Sequence, residues 1–148
     1  MSKLLNDVMY NLGRADAADL RRRSKDMDGT AITDEESKVP DFVPGKNYTS
    51  WPAGAPVRSG GQVWTLLQPY DSAAHPGNPA DLRALWALCH TNNPTRAKPW
   101  ATPLGTSGMY MRGECYRHSD GMVRRAKQDN TVHDADAAPQ LWETVKEG

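Results

Sequence analysis

The residues of this chain whose types and spacing could do chemistry are two cysteine and histidine pairs and one acidic run. Cys89 directly precedes His90, and Cys115 lies three residues before His118, so each pair holds a nucleophile and a base in name. Residues an odd number apart on a strand project to opposite faces, which keeps each imidazole away from its thiol along extended backbone. The run "HDAD", His133 to Asp136, and His118 with Asp120 offer metal-ligating residue types. A metal needs three or four ligands converging in space, and these are loop-borne and separated by a whole strand. No metal is expected, and Asp134 and Asp136 read as turn formers that bond their own backbone. The chain has no glycine-rich phosphate cradle, paired-carboxylate cleft or nucleophile elbow. Neither catalysis nor a cofactor is therefore expected.

The elements that must position these residues are constrained by composition. Of 148 residues, 38% are hydrophobic, with a single Phe, 12 Gly and 11 Pro. Long buried helices are hard to draw from such material, and small loop-rich β units are easier. Five Trp and five Tyr carry much of the burial, each aromatic removing roughly 150 to 250 Å² from water. The two cysteines lie far apart and make no disulfide framework, so reduced, buried thiols are expected. Eighteen acidic and eighteen basic side chains cancel, leaving no global field for nucleic acid or an anionic membrane. Arg21-Arg22-Arg23 reads as a solvated helix face answered by Asp26 and Asp28. No apolar stretch approaches 18 residues and no hydrophobic signal region opens the chain, so neither membrane insertion nor Sec export is expected.

Along the chain, Leu5, Val8, Leu12 and Ala15 form one helical stripe, interrupted by Gly13. Asp16 reads as the cap of a second helix that ends before Asp28-Gly29. Residues 1–29 thus form a helical anchor whose Leu5, Val8 and Leu12 dock on the protein's own body or on a neighbouring subunit. In the connector 30–41, Thr33 and Glu36 have capping-box spacing, and Pro40 keeps that helix to about one turn. From Phe42 the pattern changes to short alternating runs. Gly60-Gly61 marks a tight hairpin between strands Pro56 to Ser59 and Gln62 to Gln68. A loop and a closure carrying Leu82, Leu85 and Trp86 follow. The same grammar then recurs: Trp51, Gly54, Val57, Gly61, Trp64, Pro79 and Trp86 align with Tyr110, Gly113, Tyr116, Gly121, Arg124, Pro139 and Trp142. The expected fold is mainly β with N-terminal helices, two small antiparallel three-stranded hairpin modules in tandem at 42–93 and 94–148. Trp86 and Trp142 read as closing plugs, and Trp100 as a further core aromatic.

This order of aromatic, glycine, hairpin and Pro…Leu-Trp closure resembles the small carbohydrate-binding modules of the chitin-binding type 3 group. It is most similar to the versions in tailed-phage virion proteins, which follow a short capped helix such as "TDEESKVPDF" and end in a motif like "DAAPQLWETV". The resemblance spans Thr30 to Val145 in two copies. It implies a non-enzymatic bacteriophage structural or decoration protein of tail, baseplate or head, assembled in the host cytoplasm and resident in the virion. The implied partners are other virion proteins, further copies of itself, with a trimer as the symmetry such appendages often have, and host cell-surface polysaccharide. Sugar rings stack on flat aromatic faces, for which Trp51, Trp64 and Tyr70 in the first copy and Tyr110 and Tyr116 in the second are the candidates. Arg124 stands where the first copy has Trp64, so the second copy lacks that platform. Two contrasting readings are a purely structural virion protein whose modules serve only as subunit contacts, and an accessory glycan-binding module of a bacterial hydrolase.

Overall fold

The structure is a computed structural model in which residues 15–146 are described. The expected anchor contacts Leu5, Val8 and Leu12 lie outside the described residues. Helix α1 covers residues 15–23 and continues into a 3-10 turn at Ser24–Asp26. Asp16 lies inside this helix rather than capping it, because residue 15 is already helical. Helix α2 spans Gly29–Asp34 and is capped by Asp28, whose side chain accepts from the Ala31 amide at 2.8 Å. The cap thus lies five residues before Thr33, and with Ala31 at the third helical position it is a simple cap in place of the expected capping box. Thr33 is buried inside α2, where its hydroxyl donates to the carbonyls of Gly29 and Thr30 at 2.9 and 3.1 Å, and Glu36 pairs with Lys98.

The arginine run also finds other partners than expected. Arg22 and Arg23 both pair with Asp19, Arg23 reaches across to Glu35 at 2.8 Å, and Arg21 lies over the Trp51 ring at 4.4 Å. These long side chains tie α1 to α2 and to the first β unit instead of facing Asp26 and Asp28.

Strands β1 (Pro56–Ser59), β2 (Gln62–Leu66) and β3 (Trp86–Leu88) form the first antiparallel sheet in the order β1-β2-β3. The hairpin turn works because Gly60 and Gly61 adopt φ of 60° and 78°, a region that costs side-chain-bearing residues about 1 kcal/mol or more. The second sheet contains β4 (Lys98–Pro99), β5 (Cys115–Arg117), β6 (Val123–Ala126) and β7 (Trp142–Val145), in that order. It thus has a fourth strand beyond the expected three, with β4 parallel to β5.

The duplication is repeated in the strand pairing, with one correction to the expected alignment: Tyr48, not Trp51, is the counterpart of Tyr110, since the Tyr48 and Tyr110 hydroxyls accept from the Val43 and Ala101 amides and each ring stacks on its unit's leading aromatic, Phe42 or Trp100. Val57 faces Trp64 and Leu66 faces Trp86 in the first sheet; Tyr116 faces Arg124 and Ala126 faces Trp142 in the second. Gly54 and Gly113, at φ 94° and 93°, donate their amides to Leu66 and Ala126. Leu67 and Lys127 donate to Leu85 and Leu141 just ahead of the closing tryptophans. Even β4 has its counterpart, since Asp41 makes a parallel bridge to Arg58 as Pro99 does to Arg117. Phe42 and Trp100 are therefore equivalent aromatics, each leading its unit.

Three clusters of apolar side chains fill the interior. Phe42, Tyr48, Val57, Trp64, Leu66, Tyr70 and Trp86 form the core of the first unit, and Tyr110, Tyr116, Ala126 and Trp142 that of the second. The third joins Leu20 of α1 and Ile32 of α2 to Val63 and Cys89. Strand β2 is buried on both faces for this reason, with Trp64 and Leu66 turned to one core and Val63 to the other. Along the seam between the units, Thr91 bridges Cys115, Gln62 Nε2 donates to the Pro99 carbonyl at 2.7 Å, and Arg83 reaches the Thr102 carbonyl at 3.3 Å.

Candidate functional site

The five candidate sugar platforms divide sharply by burial. Trp64, Tyr70, Tyr110 and Tyr116 are all buried, so their faces pack on protein and are not available to a pyranose ring. Trp64 donates through Nε1 to the Ser59 carbonyl at 3.1 Å and lies under the Arg83 guanidinium at 4.9 Å. The Tyr70 hydroxyl accepts from Trp86 Nε1 at 2.7 Å. Trp51 is half-buried, with Tyr48 edge-on at 4.7 Å and Arg21 over the ring. In units this small the aromatics are needed as core, and that demand overrides their use as platforms. Trp86 and Trp142 are buried plugs; Trp142 meets Tyr116 at 4.8 Å and donates to the His133 carbonyl at 2.8 Å.

The cysteines of the two pairs are engaged with backbone, the Cys89 and Cys115 thiols meeting the Gly29 and Asn92 carbonyls at 3.6 and 3.8 Å. Cys89 and Cys115 are both free and buried. Burial pushes the Cys89 thiol up to about 12, and the Cys115 thiol is raised for the same reason. His90 is stacked on Tyr110 at 3.7 Å and donates through Nε2 to the Gly108 carbonyl at 2.8 Å. Burial holds its imidazole down to about 4. Among the described residues no group of three or more His, Cys, Asp or Glu could hold a metal ion.

What the structure does bring together is the edge of the second unit. Trp100, expected to be core alone, stacks on Tyr110 at 4.9 Å and meets Tyr116 and Trp142 edge-on, yet its ring is only half-buried. Its remaining surface lines an open groove of about 370 Å³ with Pro99, Arg117, His118, Asp134 and Asp136. β4 places Trp100, the end of β5 places Arg117 and His118, and the loop before the closing tryptophan supplies the two aspartates. His118 and Asp136, 18 residues apart, are joined through Nε2 and Oδ1 at 2.9 Å. Asp136 was expected to bond its own backbone, and only Asp134 does so, accepting from the Ala137 amide at 3.0 Å.

The donor order in this array is determined by its partners. The Tyr116 hydroxyl accepts from the Ala135 amide at 2.9 Å and faces His118 Nδ1 at 2.8 Å. The Asp136 carboxylate can only accept, so Nε2 carries the ring proton and donates to it, and in the neutral ring Nδ1 accepts from the Tyr116 hydroxyl. The buried imidazole, 8% exposed, holds a carboxylate that is 77% exposed. Asp136 is thus a positioned acceptor at the groove wall, next to an aromatic surface. Position 124 makes no part of it: Arg124 pairs at 2.7 Å with Asp120 in the turn between β5 and β6.

The site was concealed in the sequence because its members come from three separate segments. One signal pointed to it: "VPDF" and "AKPW" put an aromatic at the same place in both repeats, ahead of the sheet and so at its edge. No protein-family model matches the chain, and no curated protein matches its sequence.

Proposed function

We propose that this protein is a non-catalytic, glycan-binding component of a tailed-phage virion, built from two tandem carbohydrate-binding-module-like units behind an N-terminal helical anchor. The observation that carries the binding reading is the Trp100 groove, where an aromatic surface stands beside a carboxylate held by a buried histidine. A pyranose presents polarised axial CH groups on one face and hydroxyls around its rim. Trp100 offers a π-surface to the first, and Asp136, Asp134 and Arg117 offer hydrogen-bond partners to the second. A groove of about 370 Å³ is at the small end of ligand sites and suits one or two sugar rings held weakly. Repetition of the chain on a particle would supply avidity. The virion assignment is supported by the resemblance of both repeats to phage-borne modules. Host cell-surface polysaccharide is the ligand class and the virion the location.

The test is titration of the purified protein with muramidase-solubilised bacterial cell-wall polysaccharide. Trp100→Ala should weaken binding about tenfold or more, the equivalent of roughly 1.4 kcal/mol, with the fold retained by circular dichroism. Asp136→Asn should weaken it by less. Wild-type protein that is folded but fails to bind would sink the glycan reading. Labelled protein absent from purified particles would sink the virion assignment.

A further inference from the structure

We infer that the first unit holds a second saccharide site, chemically different from the Trp100 groove, so that one chain grips one polysaccharide at two points. This rests on the glycan reading above. The structural repeat carries it. Asp41 and Phe42 lead the first unit as Pro99 and Trp100 lead the second, and Arg58 and Ser59 close β1 as Arg117 closes β5, with His118 just beyond it. These equivalent positions enclose an equivalent groove, about 500 Å³ in volume, lined by Asp41, Phe42, Arg58, Ser59 and Asn78.

The furnishing of the two grooves differs in a way that decides what each recognises. Phe42 is 9% exposed and stacked on Tyr48 at 5.7 Å, so the first groove lacks the broad aromatic surface of Trp100. Both grooves have an arginine at the same place, Arg58 and Arg117, but Ser59 and Asp41 stand where the second has His118 and Pro99, and Asp41 forms an exposed ion pair with Arg58 at 3.3 Å, their side chains 78% and 44% exposed. A guanidinium and a carboxylate held side by side offer a fork of donors next to acceptors. Such a pair recognises the hydroxyl, acetamido or carboxylate rim of a sugar and leaves its CH face unused. The two grooves thus read complementary features of neighbouring residues of one polymer.

Their relative placement is fixed by the seam. Gly108 of the second unit approaches Leu88 of the first so closely that an added Cβ would lie 2.7 Å from Leu88 Cδ1. Gln62 reaches from the hairpin of the first unit to the Pro99 carbonyl, beside Trp100. Little freedom remains for the grooves to move apart, which keeps the effective concentration of the second contact high once the first is made.

Calorimetric titration of the full chain with the β-1,4-linked tetramer of N-acetylglucosamine, and with solubilised cell-wall polysaccharide, tests the inference. Expected are two tetramer sites per chain, reduced to one by Trp100→Ala and to one by Arg58→Ala, with polymer affinity falling about 10- to 100-fold in each. Asp41→Ala, at a more exposed position, should reproduce Arg58→Ala if that variant folds poorly. One tetramer site, abolished by Trp100→Ala and untouched by both Arg58→Ala and Asp41→Ala, would overturn the second site while leaving the glycan reading intact. No binding of either probe by folded wild type would remove both.

Discussion

Acidification should loosen the seam between the units through His90. Its imidazole is stacked on Tyr110 at 3.7 Å, bonded to the Gly108 carbonyl and 8% exposed. Burial is the main cause that lowers its pKa to about 4; the backbone bond opposes this and the Arg83 charge assists it. In the unfolded chain the same ring titrates near 6.5. Between pH 6.5 and 4 the unfolded state therefore binds a proton that the folded state refuses, and stability falls as pH falls. Each pH unit inside that window is worth about 1.4 kcal/mol, so the full effect is about 3 kcal/mol, a large part of the 5 to 15 kcal/mol typical of a domain. Glu114 acts in the opposite sense, because burial raises its carboxyl and makes the folded state the better proton acceptor above pH 4.5. The quantity to measure is therefore the difference between wild type and His90→Phe, which keeps a ring on Tyr110 and removes the titration. Urea denaturation followed by tryptophan fluorescence at pH 7, 6, 5 and 4.5 should give wild-type stabilities that drop more steeply than those of the variant. Parallel profiles for the two proteins would refute the reasoning.

Other expectations concern packing and charge. Trp142→Ala removes a ring that meets Trp100, Tyr110 and Tyr116 edge-on and should cost about 4 kcal/mol; a loss under about 1.5 kcal/mol in denaturant titration would mean that Trp142 does not close the second unit. Gly29→Ala drives a methyl group into the His90 carbonyl, with backbone on both sides, and should lower stability by about 2 to 3 kcal/mol. Gly60→Ala meets open space and should lose only about 1 kcal/mol to its φ of 60°, so equal melting temperatures for the two variants would contradict the close approach. Glu35 is held down to about 2, chiefly by Arg23 and then by Lys38. Its contribution is present above pH 4.5 and lost as pH falls toward 2, and Glu35→Gln should flatten that part of the acid unfolding curve.

The hairpins, the duplication and the two closing tryptophans were legible because their signals are local. Gly60-Gly61 supplies positive φ wherever it stands, a proline followed by Leu-Trp ends a loop in extended backbone, and Val57 with Trp64 and Tyr116 with Arg124 take the same paired positions although the second hairpin is one residue longer. The α2 cap was less determinate, since Asp28 and Thr33 are both good caps and only the packing of Ile32 into the third core, with Thr33 buried beside it, selects the earlier one. Aromatic type was legible and aromatic exposure was not. Trp64, Tyr70, Tyr110 and Tyr116 serve the cores because each unit has few other large apolar side chains, whereas Trp100 retains exposed surface because parallel β4 sets it at the sheet edge. Likewise nothing in "RHSD" or "HDAD" names the partner of His118. The meeting of His118 with Asp136 depends on where a polar loop is carried by the register of β5, β6 and β7. Backbone chemistry and repetition act over a few residues and are written in the chain, but exposure and side-chain pairing are properties of the packed whole, decided by which segments compete for the same interior.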